Sequence, residues 1–308
     1  MLRSAHARAC LLGEHCDWAG QGASLVLPLA NRLEVQVRAA DWGLVIHSEL
    51  GVTRVDATGR CLDSDPNRYV VAAARTLARH GVKLPPSRVV VRSEIPMGRG
   101  LGSSAALLVA SLRALGAHAG VMLDRVQAAA WALEAESQDL GVPCGPLDPL
   151  ACAFDQPQRI RWPDQQRKAL GKAPPTLVVL LPDPVPAAPI LEALNAARDQ
   201  PAVQAALRTW GETAEQGAQD LDRQDWAALG QKLDRAQAAY DSLDLPALQA
   251  PRLGGLIAEL RGLGALGAKF MGAGGERSAV AVFSTQPHLA DAQRVLESRG
   301  LRCLSGGV

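Results

Sequence analysis

The sequence predicts an α+β protein of two domains, and three observations carry this reading. β-type segments crowd the first 95 residues and are followed by two helical segments. A polar stretch with four prolines, Gln156 to Pro175, then interrupts the chain near its middle. Beyond it strands alternate with helices to the end, which is the pattern of an α/β sandwich. The boundary is placed at residue 165, giving domains 1–165 and 166–308.

Composition supports this size of core. The chain has 308 residues, 48% hydrophobic and 20% charged, as expected of a globular protein. The net charge of +1 and the lack of a long basic run argue against a nucleic-acid partner. Cys10, Cys16, Cys61, Cys144, Cys152 and Cys303 form no Cys-x-x-Cys pair and no zinc spacing, so reduced thiols are expected. Glu14, His15 and Asp17 follow a very short apolar run, which does not fit a signal peptide. No apolar stretch reaches membrane-spanning length. A cytoplasmic protein without a membrane partner is the expectation.

In chain order, Ala9 to Leu12 is a short apolar run ending at Gly13. Ala23–Ala30, Leu33–Arg38 and Leu44–His47 alternate or run apolar, as strands do. Ser64-Asp65-Pro66-Asn67 reads as a helix start, continued by Tyr69 to His80 and stopped by Gly81. Leu84 to Ile95 is a strand, and helices follow over Ser104–Ala119 and Asp124–Gln138. In the second half, strands are expected at 177–181, 268–271, 279–283 and 302–304. Helices are expected near 188–198, 203–220, 226–243, 251–263 and 288–299.

Four stretches could carry chemistry. Pro96-Met97-Gly98-Arg99-Gly100-Leu101-Gly102-Ser103-Ser104-Ala105-Ala106 joins a strand to a helix. Its glycines can expose backbone N–H groups, and the helix start favours an anion, most often phosphate. Ser103 and Ser104 could cap that helix or reach a metal ion. Taken alone, the stretch reads more readily as a glycine turn with a serine cap and no ligand. Glu14, His15 and Asp17 pack three ionisable groups between a strand and a glycine turn, either as a working loop or as a solvated turn. Glu134 and Glu136 are two apart and point to different helix faces, so only one can face a site. Asp148, in the rigid stretch Gly141 to Leu150, is either a helix cap or a catalytic group.

Three stretches together resemble the GHMP small-molecule kinases, the superfamily of galactokinase, homoserine kinase, mevalonate kinase and phosphomevalonate kinase. They are Arg8 to Trp18, Pro96 to Ala106, and Gly267-Ala268-Lys269-Phe270-Met271-Gly272-Ala273-Gly274-Gly275. They span essentially the whole chain. Within the superfamily the chain is most similar to galactokinase. Gly13-Glu14-His15-Cys16-Asp17-Trp18 resembles its Gly-Glu-His-Thr-Asp-Tyr, and Cys144, Gly145 and Asp148 match its Gly-x-x-Cys-Gly-x-Met-Asp. The chain departs at Trp18 and Pro149, and at Glu276-Arg277-Ser278, where the family has two glycines and a cysteine. It is also shorter than most galactokinases.

The resemblance implies a two-domain GHMP kinase fold, with an N-terminal ribosomal-protein-like β/α domain and a C-terminal ferredoxin-like α/β sandwich. It implies ATP and Mg2+ as the nucleotide and metal. Pro96, Gly98, Arg99, Gly100, Leu101, Gly102, Ser103, Ser104 and Ala105 would bind nucleotide, and Ser104 and Glu136 would hold the metal. Asp148 would take the acceptor hydroxyl proton, with Arg8 nearby keeping it ionised. Glu14, His15, Asp17 and Gly145 would bind the acceptor, and Gly272, Ala273, Gly274 and Gly275 would form a C-terminal loop at the site. The implied reaction transfers the γ-phosphate to a hydroxyl of galactose or a related sugar, by a monomer or homodimer. The alternatives are another small alcohol such as mevalonate, or a catalytically silent sensor of sugar and nucleotide.

Overall fold

The computed structural model describes residues 1–56, 59–62, 65–142 and 144–306. Ser64, placed above at a helix start, and Pro143 lie outside the described residues. In chain order the first part holds β1 (Leu2–Leu12), α1 (Cys16–Ala19), β2 (Ala23–Ala39), β3 (Leu44–Ser48), β4 (Gly51–Val55), α2 (Arg68–Arg79), β5 (Ser87–Ser93), α3 (Ser103–His118), α4 (Arg125–Glu134) and α5 (Leu147–Ala153). Then follow β6 (Gln158–Arg161), β7 (Gln166–Ala169), β8 (Thr176–Leu180), α6 (Ala188–Ala196), α7 (Pro201–Asp222), α8 (Trp226–Asp241), α9 (Pro251–Gly262), β9 (Gly267–Phe270), β10 (Ser278–Val282), α10 (Gln286–Ser298) and β11 (Arg302–Ser305). These elements form two compact units. The first takes Met1–Ala7, Asn31–Pro96 and Gly102–Asp155, and the second takes Arg8–Ala30, Met97–Leu101 and Gln156–Val308.

In the first unit, β2 from Leu33 to Ala39 pairs antiparallel with β5. β5 pairs parallel with β3, and β3 pairs antiparallel with β4. The parallel β3–β5 pair requires a crossover, and α2 lies within it. Asn67 precedes α2 without a side-chain cap. α3 is buried almost all round, from Ala105 and Ala106 through Leu108, Val109 and Leu112 to Leu115. A helix apolar on every face belongs in a core, and α2, α4 and α5 all pack on it. Asp124 caps α4 by accepting from the Gln127 N–H at 2.8 Å.

The second unit contains a four-stranded antiparallel sheet in the order β11-β8-β10-β9. The helices α6 to α9 connect its first two strands and α10 connects its last two, which is the ferredoxin-like β-α-β-β-α-β arrangement. The runs of β8 and β10 are largely apolar, β9 carries the buried Lys269, and only the middle of β11 is buried. β8, β9 and β10 are buried along their whole length. In the same unit β6 pairs antiparallel with Ala23–Val26 of β2, and β7 pairs with β6.

Several elements differ from the sequence expectation, each for a physical reason. β1 is eleven residues long, not a short run from Ala9. Alanines fill its buried positions Ala5, Ala7 and Ala9, and alanine is a poor strand signal. Ala23–Ala30 and Leu33–Arg38 are one continuous strand. The polar stretch Gln156–Pro175 carries the β6–β7 hairpin. Its charges serve as pairing groups within the second unit: Arg159 and Arg161 meet Glu215, and Lys168 meets Asp222. A charged, exposed edge strand is a usual protection against pairing with another chain. The helix expected over Asp124–Gln138 changes character after Glu134, and this change shapes the site.

Candidate active site

The first unit carries one group of candidate residues. It begins at Gly102; Gly98 and Gly100 of the same loop belong to the second unit, and the three take φ of 71°, 69° and 70°, a left-handed backbone that other residues rarely adopt. Left-handed residues alternating with Arg99 and Leu101 turn neighbouring N–H groups toward one concavity, the backbone pattern of an anion nest. Gly102 stands at the N-cap of α3 and no side chain caps the helix. Ser103 and Ser104 lie inside the first turn, so neither is the cap. Ser104 instead shares a hydrogen bond with Glu136.

Glu136 reaches that position through a π-helical turn, Ala135–Asp139. The Leu140 N–H donates to the Ala135 carbonyl, five residues back. The extra residue rotates the helix face, a device common at functional sites. Glu134 consequently faces outward, where Arg79 and His80 pair with it. Glu136 is only 5% exposed. Burial raises its carboxyl above the ordinary glutamate value, the Ser104 bond opposes this, and the Asp148 charge adds to it. The Cys144 thiol also bonds to Glu136, and Tyr69 feels both groups. Asp148 lies in the first turn of α5, where Pro146 holds the N-cap position without a side-chain cap, so Asp148 is not the cap. Gly145 lies in the connection just before it.

A hydroxyl and a carboxylate joined at one helix start are hard oxygen donors of the kind Mg2+ takes together with phosphate oxygens. Among the described residues no three His, Cys, Asp or Glu side chains form a metal cluster. The donor set thus fits a nucleotide-borne Mg2+, not an all-protein cage.

The second unit gathers the other candidates. Arg8 is buried near the end of β1. Its N–H donates to the Leu101 carbonyl at 3.0 Å, and its Nη1 donates to the Gly100 carbonyl at 2.6 Å. Glu14 is 2% exposed, and its Oε1 accepts from the fully buried Lys269 Nζ at 2.5 Å. Lys269 also donates to the Phe270 carbonyl at 2.6 Å. Burial pushes the Glu14 carboxyl upward, and the Lys269 ammonium opposes that shift. The second oxygen, Oε2, is buried with no hydrogen-bond partner.

His15 sits beside it at 4% exposure, among Trp18, Trp210 and Phe270. The Trp18 Nε1–H donates to His15 Nδ1 at 3.1 Å. Nδ1 is therefore the acceptor, and the ring proton belongs to Nε2. Nε2 is also buried without a hydrogen-bond partner. Asp17 occupies the first turn of α1, half-buried.

The C-terminal glycine loop is in the same unit. A Cβ on Gly272 would lie 3.2 Å from the Gly100 Cα, so the two loops touch at glycines. The Ser278 hydroxyl donates to the Arg99 carbonyl at 2.9 Å. The Tyr240 hydroxyl accepts from the Gly275 N–H at 2.8 Å and donates to the Leu248 carbonyl at 3.0 Å. Any side chain on Gly274 would enter the Tyr240 ring, at 2.6 Å. Glu276 accepts from the Arg252 N–H and Nε, both at 2.8 Å, while Arg277 Nη1 donates to the Val185 carbonyl at 2.7 Å. Glu276 and Arg277 thus anchor the loop to α9 and to the segment after β8.

Sequence reasoning assigned no role to Lys269, Tyr240, Tyr69 or the Cys144 thiol. A lysine in the apolar run Gly267–Met271 was the available signal, because a buried ammonium needs a partner. Its partner lies 255 positions away, and no local pattern points to it.

One titration follows. Burial, the Lys269 charge and, against them, the nearby Ala273 backbone hold His15 down to about 3, from 6.5. A histidine lowered in the folded state contributes stability that is present above about 6.5 and lost as pH falls from there toward about 3. NMR titration of the imidazole is expected to show a neutral Nε2–H ring at every pH from 8 down to about 5. A midpoint near the ordinary histidine value would remove this assignment.

Comparison with known proteins shows the family. The family model described as the GHMP kinases N terminal domain matches residues 68–156, and that described as GHMP kinases C terminal matches residues 218–303. Together they cover more than half of the chain. A galactokinase from Thermosipho africanus is 31% identical over 160 residues, 51% of this chain and 44% of that relative. The chain's match thus spans less than half the length of that curated relative. Among solved structures, the mevalonate kinase of Methanococcus jannaschii superposes with a TM-score of 0.84 at 14% identity, covering 100% of this chain and 98% of that one. The galactokinase of Lactococcus lactis, complexed with galactose, superposes with a TM-score of 0.81 at 18% identity, covering 100% and 93%. At such identities the superpositions speak for the fold alone.

Proposed function

The chain belongs to the GHMP kinases and has their two-domain fold, and on that premise we propose that it transfers the γ-phosphate of ATP to a hydroxyl of a sugar, galactose or a related monosaccharide. The observation that carries the sugar reading is the pair of orphaned groups in the second unit. Glu14 Oε2 is a buried acceptor without a donor, and His15 Nε2–H is a buried donor with no well-formed hydrogen bond, the Ala273 backbone lying nearby. Each such group costs about 1–3 kcal/mol when left unmet. A hydroxyl both donates and accepts, so a polyol is the chemistry that satisfies both. A site built this way also discriminates strongly against analogues that lack the hydroxyl.

The remaining roles follow unit by unit. The N–H groups of the glycine loop and of the α3 start bind the ATP phosphates. Ser104 and Glu136 would hold Mg2+, which would supply positive charge to offset that of the phosphate oxygens. Asp148 accepts the proton of the attacking hydroxyl. Arg8 braces the glycine loop through Gly100 and Leu101. Phosphoryl transfer asks mainly for positioning and charge stabilisation, and this inventory supplies both. No helix among the described residues is long and apolar enough to cross a membrane.

Purified protein with Mg2+ and ATP, offered galactose, other hexoses, sugar acids and mevalonate, tests the proposal through ADP release and NMR of the product. Phosphorylation of a sugar is expected. Turnover on mevalonate alone, or on nothing, would overturn the sugar reading.

A further inference from the structure

The π-helical turn that carries Glu136 is gripped at both ends by one side chain, Arg79 at the end of α2. Its Nε and Nη2 donate to Glu134 Oε1 at 3.0 and 2.9 Å, and its Nη1 donates to Asp139 Oδ1 at 2.7 Å. Nη2 also donates to the Thr76 hydroxyl at 3.0 Å, and that hydroxyl donates to Asp139 Oδ2 at 3.1 Å. His80 Nε2 meets Glu134 Oε2 at 2.8 Å, while its ring stacks on Trp131 at 4.0 Å. Each oxygen of the two carboxylates thus has a partner on α2 or at its C-cap. All of these residues belong to the first unit.

Glu134 immediately precedes the turn and Asp139 is its last residue. In an α-helix, residues five apart lie about 140° apart around the axis and face different ways. A π turn closes its ring between residues five apart and brings them to one face. In that geometry one guanidinium fork spans the pair. The bridge and the turn therefore favour each other, because an α-helical continuation would carry Asp139 away from Arg79. Exposed ion pairs taken singly contribute little, but networks are the exception. Here the Asp139 and Glu134 side chains are 11% and 22% exposed, and guanidinium, hydroxyl and imidazole form one network. The backbone around Glu136 depends on the turn. The Leu140 N–H returns to the Ala135 carbonyl at 3.3 Å, and the Val142 N–H to the Glu136 carbonyl at 3.0 Å.

We propose that Arg79 is a positioning residue for the metal site: it selects the π turn and thereby aims Glu136 at Ser104. Thr76 and Asp139 complete the clamp. Arg79 acts through Glu136 and not on the nucleotide. The proposal rests on the reading of Ser104 and Glu136 as the holders of Mg2+ and adds the residue that fixes their geometry. Outer partners of this kind hold a ligand's orientation, and their loss typically weakens metal binding by about 10- to 100-fold.

Calorimetric titration with a non-hydrolysable ATP analogue, with and without Mg2+, tests this without any acceptor. The measured quantity is the gain in affinity that Mg2+ brings. Arg79→Met is expected to cut that gain about tenfold and to leave metal-free affinity unchanged. Arg79→Lys, which keeps the charge but loses the fork, is expected to retain part of it. Glu136→Gln is expected to lose most of the gain, and adding Arg79→Met to it should cost nothing further. Hydrogen exchange gives a second readout: the Leu140 and Val142 amides should exchange faster in Arg79→Met, with those of α3 unchanged. Should Arg79→Met fail to fold, Arg79→Lys and Asp139→Asn carry the same comparison. A full Mg2+ gain in Arg79→Met would overturn the proposal. So would additive losses in the double variant, because Arg79 would then act by another route. A full Mg2+ gain in Glu136→Gln would instead overturn the metal reading on which the proposal rests. A native protein that binds no analogue would overturn the kinase reading itself.

Discussion

Asp148→Asn is expected to lower kcat by about 10³-fold, within the range for loss of a positioned acid–base group, while the binding of a Mg2+–ATP analogue stays unchanged. The carboxylate stands in the first turn of α5, with Pro146 before it and Pro149 after it, so its backbone has little freedom. It is close enough to Glu136 to raise that carboxyl. Asparagine keeps the size and one acceptor oxygen but cannot take a proton. Binding of nucleotide and acceptor should therefore survive, and the loss should fall on kcat with KM for ATP nearly constant. The Glu136 carboxyl should return toward its ordinary value once the neighbouring charge is gone. ADP-release kinetics, analogue titration and a thermal melt of the variant check the three parts. Unchanged kcat would remove Asp148 from the reaction, and a collapsed melt would reassign it to structure.

Much of the frame could be read from the residues, because pattern and structure agree wherever both faces of an element are buried. The runs at Leu177, Ala268 and Ala279 are strands because they lie in a sheet covered on both sides. The alanine-filled β1 and the polar β6–β7 hairpin escaped, since neither shows an apolar alternation. The site was legible by a different route. Its glycines and acids stand in recognisable motifs, whereas its electrostatics depends on partners far apart in the chain. The resemblance already singled out Glu136 over Glu134, but the π-helical turn that buries it is not foreseen by periodicity. Glu14 looked like a free ligand group, but one of its oxygens already belongs to Lys269 and only the other is left without a partner. Glu276 and Arg277 looked like an interruption of a glycine loop. In the fold, Glu276 ties that loop to Arg252.

Lys269→Met should be the most destabilising single substitution in this network. The ammonium is fully buried and Glu14 is nearly so, and methionine fills similar volume without the charge. Removing one member of a buried ion pair leaves the other unpaired, at a cost of about 3–5 kcal/mol, or about 10 °C in melting temperature for a unit of this size. The pH dependence has a definite sign. Glu14 is already raised in the folded protein by burial, and loss of Lys269 removes the charge that opposes the rise. A carboxyl raised in the folded state contributes stability that is present below its ordinary value of 4.5 and lost as pH rises through the folded value. The variant should therefore lose most at neutral pH and recover part of the difference as pH is lowered. Lys269→Met combined with Glu14→Gln should regain most of the stability at neutral pH, because no charge is then stranded. Acceptor binding should not return with it, since the carboxylate that accepts the hydroxyl is gone. Melting curves of the single and double variants from pH 4 to 8, beside acceptor titrations, separate these effects. A single variant as stable as the native protein at pH 7 would show that Glu14 does not depend on Lys269.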